Sequence, residues 1–200
     1  MNLRDPLAQP LPPKAPRARP RLSRWLGIAW LRLGGWRLVG TFPDVAKAVV
    51  IVAPHSSNMD GFHGLAMRQA IGLDVHFLAK RQLFWWPLGA MLRSFGAIPI
   101  ERGAATDMVE QAAAQFAGKP TFWLGLAPEG TRKPVVRWKS GFWRIAKAAN
   151  VPIIPAYFHY PDKVIGIGPP LWLSEDMNAD LARLRAFYAP WRGARGKRAV

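Results

Sequence analysis

A chain of 200 residues, half of them hydrophobic, is long enough for one domain with a buried core. Its 28 Lys and Arg against 12 Asp and Glu leave a formal net charge of +16, which calls for an acidic partner: nucleic acid, an anionic membrane or a phosphate-bearing substrate. The absence of cysteine excludes disulfides, thiolate nucleophiles and cysteine-ligated metals.

Residues 1–20 are rich in proline and arginine and poor in large apolar side chains, and read as a flexible basic arm. The next segment, 21–40, reads as an amphipathic helix suited to a membrane interface. Leu22, Trp25, Leu26, Ala29, Trp30, Leu33 and Trp36 fall near helical spacing, with Arg24, Arg32 and Arg37 elsewhere. The arginines break what would otherwise be the best spanning candidate, so no transmembrane helix is expected. The start Met1–Pro6 lacks the apolar stretch of a signal peptide, and a cytoplasmic or cytoplasm-facing location is the expectation.

From residue 41 to 189 strands and helices alternate. Strands are predicted at 48–53, 75–79, 98–100, 121–127, 153–158 and 163–167. Helices are predicted at 60–71, 84–92 beyond Pro87, 107–117, 141–149 and near 180–188, with Asp107 and Glu110 read as a capping box. The alternation predicts an α/β fold: one domain with a mixed, largely parallel central sheet flanked by helices and preceded by the N-terminal helix. Residues 190–200 read as a basic tail with frayed ends.

Two segments carry chemistry. His55 sits just past a buried strand, at a turn before a helix, with Asp60 five residues later. Neutral imidazole suits the removal of a proton from an attacking hydroxyl near neutral pH. A carboxylate on its other nitrogen would fix the tautomer and stabilise the imidazolium that forms. Pro128-Glu129-Gly130-Thr131-Arg132 follows another strand, and a guanidinium there suits a phosphate. Glu129 has no catalytic proton to move and reads as a residue that orients Arg132 or a loop. His63, His76 and His159 read as structural or solvated. No cluster of His, Asp and Glu has metal spacing, so neither a metal nor another cofactor is expected.

Four ordered blocks resemble the glycerolipid acyltransferase family, which includes the 1-acylglycerol-3-phosphate acyltransferases. They are Pro54 to Asp60, Gly96 to Arg102, Ala127 to Arg132 and Val151 to Pro155. Phe77 to Lys80 and Lys139 to Phe142 are similar too. The chain departs from the family pattern at Pro54, where Asn is usual, and at Ala127, where Phe is usual; neither change removes a charged group.

The resemblance implies transfer of a fatty-acyl group from acyl-CoA or acyl carrier protein to the hydroxyl of a lysophospholipid, in phospholipid biosynthesis. The leading acceptor is 1-acyl-sn-glycerol-3-phosphate, giving phosphatidic acid; another lysolipid or a lyso-aminolipid is the alternative. It implies catalysis by His55 and Asp60. It also implies acceptor-phosphate binding by Arg102, Arg132 and Lys80 together with Glu129, Gly130 and Thr131. Main-chain amides near Gly130 or at the start of the following helix are candidate oxyanion donors, and Phe84, Trp85, Trp86, Leu88 and Met91 candidates for an acyl groove or for ordinary core. Ten tryptophans beside the basic charge favour peripheral or monotopic docking on an anionic membrane surface. A basic nucleic-acid-binding protein is the rival that the charge allows, but no recognition signature supports it and no nucleic-acid partner is expected.

Overall fold

The computed structural model describes residues 10–18, 23–101, 105–131, 135 and 137–199. In chain order its elements are α1 Ser23–Leu33, β1 Arg37–Val39, β2 Lys47–Val52, α2 Asn58–Ile71, β3 Val75–Lys80, α3 Leu88–Ser94, β4 Ala97–Ile100, α4 Ala105–Ala114, β5 Phe122–Leu126, α5 Gly141–Ala148, β6 Ile153–His159, β7 Val164–Ile167 and α6 Met177–Tyr188. The strands form one sheet in the order β1-β7-β6-β2-β5-β3-β4. Every neighbouring pair is parallel except β6 with β7, so β1 and β7 run against the other five. The fold is the expected α/β domain with a mixed, largely parallel sheet.

Strand β2 shows why both faces of the sheet are covered. Ala48 and Val50 point into one core with Leu31 of α1, Met67 and Ala70 of α2, and Trp123. Val49 and Ile51 point into the other, with Ala112 of α4, Phe142 and Ile145 of α5, and Leu184 of α6. Apolar residues at consecutive positions are what a strand buried on both faces needs. Because β2, β3, β4, β5 and β6 are parallel, the segments that follow them leave from the same edge of the sheet. In α/β folds that edge carries the ligand.

The structure corrects several boundaries. The N-terminal helix is shorter than 21–40: it stops at Leu33, Gly35 takes a left-handed φ of 71°, and Arg37–Val39 becomes an edge strand on β7. Trp36 therefore leaves the helical stripe and is buried, its ring 4.3 Å from that of His63. Helix α4 begins at Ala105, so Asp107 lies in the first turn, where its charge suits the helix dipole, and is not the cap. The basic arm is only partly described, since 1–9, 19 and 20 lie outside the described residues. Residues 10–18 lie on the domain: Leu11 and Ala15 are buried, and the Ala18 N–H donates to Gly72 O at 2.9 Å. The prolines there need no amide partner, which makes such packing inexpensive. The basic tail does not fray up to Ala199, which is itself buried.

Candidate active site

The turn between β2 and α2 is built around one carboxylate. Ser57 is the N-cap of α2, its side chain accepting from the Met59 N–H, and Asp60 closes a capping box. Asp60 Oδ2 accepts from the N–H groups of Ser56 and Ser57 at 2.6 and 2.9 Å. The same oxygen lies 3.3 Å from His55 Nδ1. Asp60 Oδ1 accepts from the Tyr160 hydroxyl at 2.5 Å. The spacing of His55 and Asp60 thus has a local cause: an acidic residue in the first turn of a helix reaches back over the residues that lead into it. Burial alone would raise the Asp60 carboxyl, but the hydrogen bonds from His55, Tyr160, Ser57 and Ser56 outweigh it and hold the carboxyl below its ordinary value.

The His55 side chain is 28% exposed while that of Asp60 is buried. With Nδ1 facing Asp60, Nε2 is the ring nitrogen left to exchange a proton with another group. A buried, ionised carboxylate behind a solvent-reachable imidazole is the arrangement a general base requires.

Glu129 occupies the turn after β5, beside β2 in the sheet. Its side chain is buried, and Oε1 accepts from the His55 N–H at 2.8 Å. Oε2 pairs with Lys197 Nζ. Burial pushes the Glu129 carboxyl up, against the opposing pull of Lys197 and the His55 amide. Losing the cation would strand a buried charge, at a cost of about 3–5 kcal/mol. The loop that Glu129 orients is therefore the His55 turn itself.

Gly130 has a φ of 64°, a left-handed conformation that favours glycine. Its N–H donates to Ala127 O at 3.0 Å. That amide is committed to the turn. Thr131 is half-buried at the end of this turn, and Lys80 is exposed at the end of β3. Arg102 and Arg132 lie outside the described residues.

The other histidines behave as structural groups. His63 Nδ1 accepts from Trp30 Nε1–H at 3.1 Å, and burial pushes its pKa down. His76 lies in β3 with its ring 5.0 Å from that of Phe122, and burial lowers its pKa too. His159 Nδ1 accepts from the Arg192 N–H at 3.0 Å.

The Acyltransferase family pattern matches residues 39–159, a span that holds His55, Asp60 and Glu129. The chain belongs to the Acyltransferase family. Among solved structures this family member is similar to the 1-acyl-sn-glycerophosphate (LPA) acyltransferase PlsC from Thermotoga maritima, with a TM-score of 0.56 and 20% identity over 86% of this chain and 80% of that one. At that identity the likeness is one of fold. No curated protein sequence matches the chain.

Sequence reading missed two residues around this acyltransferase site, Tyr160 and Lys197, which lie beyond the matched span. Tyr160 stands 100 positions from Asp60 and carries no local signal of its role. The apolar candidates beyond β3 are not core: Trp85, Trp86 and Met91 are exposed, Trp86 at 85%.

Proposed function

We propose that this acyltransferase-family chain transfers a fatty-acyl group from acyl-CoA or acyl carrier protein to the hydroxyl of a lysophospholipid, with 1-acyl-sn-glycerol-3-phosphate as the preferred acceptor and phosphatidic acid as product. The observation that carries the reading is the contact of 3.3 Å between His55 Nδ1 and the buried Asp60 carboxylate. His55 Nε2 takes the proton of the acceptor hydroxyl as its oxygen attacks the thioester carbonyl. The tetrahedral oxyanion collapses, the C–S bond breaks, and the thiol leaves with the proton that His55 returns. Asp60 stabilises the transient imidazolium. Arg102, Arg132 and Lys80 hold the acceptor phosphate together with Gly130 and Thr131, while Glu129 steadies the His55 turn.

The acceptor reaches the site from an anionic membrane surface, on which the chain docks from the cytoplasmic side. Among the described residues no helix is long and apolar enough to cross a membrane. Docking is supported by α1, which leaves Trp25, Leu26, Trp30 and Leu33 exposed, Leu33 at 90%. Both Trp30 and Leu33 lie at the end of α1 nearest His63 and the start of α2, the same end as the His55 turn. The decisive experiment incubates purified protein with an acyl thioester and a panel of lysolipids and reads the products by mass spectrometry. Conversion of 1-acyl-sn-glycerol-3-phosphate ahead of the other lysolipids is expected. Acylation of a lyso-aminolipid alone would replace the acceptor, and no acylated product from any lysolipid would defeat the reading.

A further inference from the structure

Segment 190–199 follows α6 and runs back to the His55 turn, outside every motif block and outside the matched family span. The Tyr160 N–H donates to Arg192 O at 2.9 Å, which fixes where the segment starts. The Ala194 N–H then donates to Ser56 Oγ at 2.8 Å. Gly193 approaches so closely that a Cβ there would sit 2.5 Å from Ser56 Oγ. A tight turn follows, with Arg195 and Gly196 at φ of 57° and 73°. It is closed by the Gly193 N–H, which donates to Lys197 O at 2.7 Å. Beyond it, Trp138 Nε1–H donates to Ala199 O at 3.0 Å. The turn is held on both sides, and it delivers Lys197, whose side chain is 12% exposed, onto the ion pair with Glu129.

Lys197 Nζ also donates to the His55 carbonyl at 2.7 Å. Glu129, its partner, accepts from the His55 N–H at 2.8 Å. Both backbone polar groups of His55 therefore close on a single ion pair. These groups belong to the two rigid peptide planes on either side of the residue. Fixing both planes fixes φ and ψ of His55, and with them the direction of its Cα–Cβ bond. Asp60 shares the hold on the second plane through the Ser56 N–H at 2.6 Å, and its contact with Nδ1 sets the side-chain torsions of His55.

We propose that Lys197 is a positioning residue for His55: held by the C-terminal turn, its ammonium locks the peptide planes flanking His55 and so sets the direction from which the imidazole meets the acceptor hydroxyl. The inference rests on His55 being the base. Lys197 acts through a carbonyl and a carboxylate, and no proton or bond of the reaction passes through it. A salt bridge that only fastened the tail would need the Glu129 contact and not the His55 carbonyl. A misdirected base costs rate far more than binding, because transfer requires near-attack geometry.

The test compares Lys197→Met, Lys197→Met with Glu129→Gln, and His55→Ala in the full chain, using 1-acyl-sn-glycerol-3-phosphate and an acyl-CoA. In Lys197→Met, kcat is expected to fall roughly 10–100-fold while KM for the lysolipid stays within about twofold. A fastening role lowers the folded fraction and leaves kcat per folded molecule as it was. Lys197→Met with near-normal kcat per folded molecule, or with KM for the lysolipid rising as much as kcat falls, overturns the proposal. If Lys197→Met does not fold, the double variant decides, since it leaves no unpaired buried charge. There the same fall in kcat is expected at a thermal unfolding midpoint well above the assay temperature, because the His55 carbonyl still lacks its donor. Near-normal kcat in the double variant, or its failure to fold, overturns the proposal. His55→Ala separates the two readings. Full turnover there removes the base reading itself, whereas an inactive His55→Ala beside a fully active Lys197→Met removes only the role of Lys197.

Discussion

Asp60 serves a helix and a histidine with the same two oxygens. It closes the capping box of α2, holds two amides of the preceding turn, and faces His55 and Tyr160. His55→Ala should remove the proposed base and leave the fold, since Asp60 keeps its other donors. Turnover is expected to fall on the order of 10²–10⁴-fold with an unchanged circular dichroism spectrum. Tyr160→Phe removes a donor that helps hold the Asp60 carboxyl low. A carboxyl with a depressed folded value adds stability that is present above its unfolded value and lost as pH falls through the folded one. The Asp60 shift therefore acts at the acid end, below the ordinary aspartate range. Tyr160→Phe should cost about 1.5–3 kcal/mol near neutrality. It should also move the acid-unfolding midpoint to higher pH. An acid midpoint that stays put would mean the hydroxyl does not stabilise the carboxylate.

Helix α1 has apolar residues on more than one side, which is why spacing alone identifies the helix without orienting it. The structure turns Gly27 and Leu31 inward. A Cβ on Gly27 would lie 2.5 Å from Ala66 O of α2, so the two helices meet at a residue that must be small. Leu26, 70% exposed, and Leu33 face away from that contact. Leu31→Ala should therefore cost about 2–5 kcal/mol of stability. Leu26→Ser with Leu33→Ser should stay within about 0.5 kcal/mol of the unchanged chain per site. The double serine variant should nonetheless bind anionic vesicles more weakly, as read by cosedimentation. Equal vesicle binding would dissociate this face of α1 from docking. Removing residues 1–39 outright would be a poor test, because β1, Leu31 and Trp36 leave with the helix.

Across the whole molecule, the parallel order β6-β2-β5 brings the turns after three strands to one edge: Tyr160 after β6, His55 after β2 and Glu129 after β5. The net charge of +16 acts at the same scale. Each basic side chain near an anionic surface contributes about 1 kcal/mol, and at ~1 M salt the Debye length shrinks to about 3 Å. Buried tryptophan and leucine resist such screening. Binding to phosphatidylserine vesicles should therefore weaken at high salt and still persist. Complete loss would make docking purely electrostatic, and no salt dependence would leave the charge without a part in it.

Alternating strands and helices, the apolar run of β2 and the five-residue step from His55 to Asp60 are all local patterns, and local patterns survive in a linear sequence. The step from histidine to aspartate is legible because a helix N-terminus imposes it within a single turn. Tyr160 and Lys197 are a different matter. Each reaches the His55 turn from a distant part of the chain, the end of β6 in one case and the segment after α6 in the other, and their contacts span 100 and 142 positions. Lys197 stands in a run with Arg195 and Arg198, where nothing in composition or period separates a buried cation from solvated ones. Only the packing of the tail against Ser56 and Trp138 buries its ammonium and gives it a carboxylate to meet, because a buried charge is set apart by its partner and not by its neighbours in the chain.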